Sequence, residues 1–142
     1  MGAMTTGGDN VAIGDGCFAT ANSASATQCT FIGRGCASAA VANTGNTAMG
    51  YNAYSSGTGG INNTSIGRQA GDVITTGGNN LSIGYLADPS GATASNEVTL
   101  GNSSISSIRC QVQTISSLSD ARDKQNIEEL PLGVEFINTL RP

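Results

Sequence analysis

Four cysteines, three tyrosines and a scatter of carboxylates are the side chains through which this sequence could do chemistry. Cys17, Cys29, Cys36 and Cys110 follow no zinc-ligand spacing, and the chain has no histidine to complete such a site. No metal and no cofactor is expected. Cys17 and Cys36 admit two readings: a pair of small buried thiols, or a disulfide between neighbouring stacked segments. Tyr51 and Tyr85 lie 34 residues apart, each directly after a glycine. An aromatic ring presented among hydroxyl and amide side chains suits a sugar ring, so both are candidate glycan-facing residues; edge packing is the alternative. Asp9, Asp15, Asp72, Asp88 and Glu97 recur at no common spacing that would pair two of them for acid–base hydrolysis of a glycan.

The tyrosines belong to a repeat. Asn63-Thr64-Ser65-Ile66-Gly67 returns as Asn46-Thr47-Ala48-Met49-Gly50 and as Asn80-Leu81-Ser82-Ile83-Gly84. Weaker copies end at Gly14, Gly33 and Gly101, so the glycines step by 19 residues once and by 17 four times. Each is preceded by Ile13, Ile32, Met49, Ile66, Ile83 or Leu100, and followed three residues later by a small residue. A fixed period of this kind means stacked units. The short alternating run before each glycine predicts a strand, the glycine a corner, and the Ser, Thr, Ala, Gly and Asn between them turns. The expected fold is all-β: a β-solenoid of about six 17-residue rungs over residues 5–104, with Met1-Gly2-Ala3-Met4 read as a cloning remnant. The aliphatic residue before each glycine is expected to form the repeat core. Asn10, Asn46, Asn63 and Asn80 share a column, which predicts either a stacked amide ladder or simple tolerance of turn geometry.

Val, Ile, Leu and Phe total only 27 of the 142 residues. So thin a core predicts association of identical chains, with the aliphatic column facing a shared axis. A net charge of −4 argues against a nucleic-acid partner. No apolar run reaches membrane-spanning length, and no membrane insertion is expected.

After Gly101 the pattern changes. Residues 105–118 read as a neck, with clean alternation predicting extended strand over 107–116. Residues 119–142 concentrate charge, and Leu132, Phe136 and Leu140 recur every fourth residue after Pro131, which predicts a short C-terminal helix.

The segment Leu118-Ser119-Asp120-Ala121-Arg122-Asp123-Lys124-Gln125-Asn126-Ile127, followed by Leu140-Arg141-Pro142, resembles the opening of the self-cleaving intramolecular chaperone domains of viral tail fibres and tailspikes. The repeats resemble, more loosely, the β-roll heads of trimeric adhesins and of fibres from phages and large algal viruses. The resemblance implies that residues 119–142 are the N-terminal part of a chaperone domain that assembles three chains. It implies a cut between Leu118 and Ser119, with Ser119 as nucleophile and Lys124 as its base, in a protein carrying the whole domain; the fragment alone is expected to be inactive. It further implies a virion location and a homotrimer attaching to a host-cell surface glycan or receptor. The competing expectation is the head of a bacterial trimeric autotransporter adhesin.

Overall fold

The computed structural model describes residues 8–19 and 26–111. The chain is an all-β parallel β-solenoid of about five turns, with no helix among the described residues. Six strands of three residues each form one sheet: β1 (Val11–Ile13), β2 (Thr30–Ile32), β3 (Thr47–Met49), β4 (Thr64–Ile66), β5 (Leu81–Ile83) and β6 (Val98–Leu100). Every strand pairs in parallel with the next in sequence, in order β1 to β6. Parallel neighbours need a long crossover, and the repeat supplies one by making a whole turn of the coil between strands. The register keeps the repeat frame: Thr47 sits on Thr64 and Thr64 on Leu81.

Backbone bonding between rungs continues around the turn. The Ala37 amide donates to Ala53 O and the Tyr54 amide to Ala70 O, both at 2.9 Å. Elsewhere on the turn, Thr27, Thr44 and Ile61 form successive parallel bridges. Main-chain polarity is thus satisfied largely by the rung above or below, as a body with little apolar volume requires.

The corners depend on backbone conformations that the repeat residues tolerate. Gly67 has φ of 135°, and a Cβ there would lie 2.5 Å from the Gly84 carbonyl oxygen. Glycine permits both the angle and the close stacking. The residue before the asparagine column is left-handed in successive rungs: Asn62, Asn79 and Asn96 have φ of 56°, 57° and 65°. Asparagine is enriched in that conformation.

Ile13, Ile32, Met49, Ile66, Ile83 and Leu100, read as the repeat core, do not line the interior of the chain. Ile66 is 37% exposed and Ile13 58%, and Ile32 is half-buried. A three-residue strand turns its middle residue to one face and its two ends to the other. The middle positions point inward: Phe31, Ala48, Ser65 and Ser82 are buried, and Ala12 and Thr99 half-buried. A 17-residue turn encloses a narrow space. Cys17, Cys36, Ala53, Ala70 and Ala87 fill another wall of it. Bulk is confined to a few places. Phe18 and Phe31 pack with ring centroids 5.4 Å apart, and Tyr54 is fully buried beside Gly57 and Gly60. The hydroxyls of Ser65 and Ser82 are buried and have no hydrogen-bond partner among the described residues.

The asparagine column forms the amide ladder. Asn63 Nδ2 donates to Gly77 O across its own rung at 2.8 Å, while Oδ1 accepts the Asn80 amide at 3.0 Å. Asn46 does the same with Gly60 O and the Asn63 amide, both at 2.7 Å. Cys29 and Glu97 interrupt the column by residue type, yet their backbone amides still donate to Asn10 and Asn80.

Residues 105–111 form no regular element, so the strand expected over 107–116 is not seen in its described part. The rest of that span, and the helix and chaperone segment at 119–142, lie outside the described residues.

Candidate functional site

Two outward-facing features remain once the interior is accounted for. The first is a column one residue beyond the corner glycines: Asp15, Arg34, Tyr51, Arg68 and Tyr85. The glycine turns the chain out of the strand, and the next residue projects from the corner. Backbone bonds fix its height in each rung, because the carbonyls of Arg34, Tyr51 and Arg68 accept the amides of Asn52, Gln69 and Leu86 at 3.0, 2.9 and 3.1 Å. Tyr51 and Tyr85 are 42% and 48% exposed.

Cations and rings interleave along this column. The Arg34 guanidinium lies 5.6 Å from the Tyr51 ring centre. That of Arg68 lies 5.9 Å from Tyr51 and 5.1 Å from Tyr85. These distances are within cation–π range. Above them Asp15 pairs with Arg34 at 3.6 Å, the one ion pair among the described residues, and an exposed one. Sequence reasoning singles out the tyrosines but misses the arginines as candidate site residues. The signal is there to find: Arg34 and Arg68 are the only Lys or Arg between residues 8 and 107, and they sit two repeats apart.

The second feature is the outer face of the sheet. The column Ile13, Ile32, Met49, Ile66, Ile83, Leu100 runs along it, beside Val11, Thr30, Thr47, Thr64, Leu81 and Val98. Val11 and Val98 are exposed as well. The largest aliphatic side chains of most rungs therefore point away from the chain's own core.

At the last rung an open cavity of about 720 Å³ is lined by Tyr85, Asp88, Thr99, Leu100, Asn102 and Ser104, among others. Burial pushes the Asp88 carboxyl above its ordinary value, and the charge of Asp72 adds to the shift, while backbone amides of residues 71–73 oppose it. Glu97 is held below its ordinary value by the hydroxyl and amide of Ser90, which donate to it at 2.6 and 2.7 Å.

Cys17, Cys29 and Cys36 are buried and form no disulfide, and Cys110 is exposed. Cys17 and Cys36 donate to the carbonyls of Phe31 and Ala48, each at 3.3 Å. Burial raises the pKa of all three buried thiols, that of Cys36 to about 12, so each is held as the neutral thiol. Among the described residues no group of three or more potential ligands is placed to hold a metal ion.

Ser119 and Lys124, with the cut expected between Leu118 and Ser119, lie outside the described residues, and the resemblance there rests on the sequence motif. Comparison of the chain with protein-family models, curated proteins and solved structures finds no match.

Proposed function

We propose that this chain is the repeat head or shaft of a homotrimeric viral fibre or spike, a structural and host-attachment component carried on the virion. The observation that carries the reading is the outer sheet face. A chain poor in large apolar residues leaves Val11, Ile13, Met49, Ile66, Ile83, Val98 and Leu100 exposed along one sheet face, while much of its own interior is Ala, Cys, Ser and Asn. Burying that stripe between copies would remove it from water at about 25 cal/mol per Å². Three as the number of copies, and the viral setting, come from the resemblance of the repeats and of residues 118–142. The same resemblance assigns trimerisation to the C-terminal chaperone segment, with Ser119 and Lys124 as its self-cleaving pair.

Light scattering coupled to gel filtration tests the assembly. The expected mass is about three times the 14.2 kDa chain mass. A folded monomer at micromolar concentration refutes the reading.

A further inference from the structure

We infer that the column Arg34, Tyr51, Arg68, Tyr85 is a recognition track for an acidic polysaccharide bearing one carboxylate or sulfate per disaccharide. The inference names a ligand class for the attachment role proposed above and rests on that reading.

Charge distribution is the first ground. The chain is acidic overall, yet every Lys or Arg between residues 8 and 107 falls on this one column. Scattered surface charges kept for solubility have no reason to share a column. Geometry is the second. Rungs paired as parallel strands rise about 4.8 Å per step. Arg34 and Arg68 are two rungs apart, as are Tyr51 and Tyr85. Charges therefore repeat at about 10 Å, with a neutral hydroxyl-bearing ring between them. An extended polymer alternating a charged and an uncharged sugar presents its anions at a similar interval. Each arginine would meet an anionic sugar and each tyrosine hydroxyl a neutral one.

Preorganisation is the third ground. Tyr51 lies between the two guanidinium groups, 5.6 Å from Arg34 and 5.9 Å from Arg68. A guanidinium held beside a ring by cation–π attraction still has N–H donors to offer a carboxylate or sulfate, bidentately where the fork is free. Tyr51 is then a positioning residue for both arginines. The main chain under the column is held by rung-to-rung bonds, so little order has to be imposed on binding. Two carboxylates bear on the track. Asp15 competes for Arg34 at 3.6 Å. Asp88 lies in the cavity that Tyr85 also lines, at the end away from Arg34.

Binding is measured by fluorescence polarisation at low salt with labelled hexasaccharides of hyaluronan (one carboxylate per disaccharide), κ-carrageenan (one sulfate per disaccharide) and cellulose (neutral), and with a polyphosphate of similar length. Binding of hyaluronan or κ-carrageenan with no binding of the cellulose hexamer is expected. Binding of κ-carrageenan alone would assign the sulfate. Arg34→Gln and Arg68→Gln should each weaken binding roughly tenfold, as loss of a charge-assisted contact does. Arg68→Lys should recover only part of it, and Tyr51→Leu should weaken the contacts of both arginines. Asp15→Asn removes the competitor and should tighten binding while raising no affinity for the neutral hexamer. All these side chains are on the surface, and circular dichroism of each variant checks the fold. Equal binding of the cellulose hexamer or of polyphosphate, or arginine variants that bind as the parent does, overturns the inference. No saccharide binding by a sample that light scattering shows to be trimeric also overturns it while leaving the structural proposal standing. A monomer that binds the acidic saccharides would do the reverse.

Discussion

Asn63 shows how one side chain substitutes for the missing apolar core. Its amide spans its own rung to Gly77 O and caps the Asn80 amide of the next. Asn63→Ala orphans both groups inside the coil. At roughly 1–3 kcal/mol for each unsatisfied buried group, the expected loss is at least about 2 kcal/mol. Thermal or urea unfolding of the variant measures it, and an unchanged midpoint would mean the ladder is decorative. Cys36 makes a second case, through pH. Its thiol is raised from an ordinary 9.0 to about 12 by burial, with Cys17 adding to the shift. The folded state keeps the proton that the unfolded state loses, so stability is intact below about pH 9 and falls as pH rises toward 12. Tyr54, raised from 10.0 to about 12, steepens the fall above pH 10. Cys36→Ala places the residue found at this position in later rungs. Melting curves at about pH 7, 9 and 10.5 should show a smaller alkaline loss in that variant than in the parent.

At the scale of the rung, the corner sets the rise of the coil. Gly14, Gly33, Gly50 and Gly67 all have φ between 133° and 142°. Gly67→Ala adds strain at that angle and a clash with the Gly84 carbonyl at 2.5 Å. Both rungs have to move apart, breaking the bonds that stack them. Loss of cooperative unfolding, or failure to accumulate as soluble protein, is the expected outcome. A variant melting within a degree or two of the parent would show that the corner has slack.

For the whole molecule, the outer sheet face decides. Ile66→Asp puts a carboxylate into the middle of the aliphatic stripe. In a single chain it would face water and cost little. Between copies it would be an unpaired buried charge, which is strongly unfavourable. Light scattering should therefore report monomer for Ile66→Asp, with circular dichroism like that of the parent; a variant that still forms the parent's assembly shows that the stripe is not its interface. The Ser119 and Lys124 assignment is tested in a protein carrying a complete chaperone domain of the family. There mass spectrometry should find the chain split between Leu118 and Ser119, and Ser119→Ala should leave it whole.

The repeat frame is legible in the sequence alone, because period and residue type are local properties. Glycine before a corner, asparagine at a left-handed turn and a three-residue alternation each determine their own backbone. Equal 17-residue steps then force the rungs into register. That determines the parallel solenoid and the column shared by Tyr51 and Tyr85. It does not determine which face of the strand is inside. Alternation says that Ser65 and Ile66 point opposite ways, and the apolar residue is the natural choice for a core. Only the closed turn decides, by placing Ser65, Ala70 and Asn63 inside while Ile66 stays 37% exposed on the single chain. The amide ladder stays open at the level of sequence for a similar reason: a shared column becomes a hydrogen-bonded one only when the opposite wall brings Gly77 O within 2.8 Å.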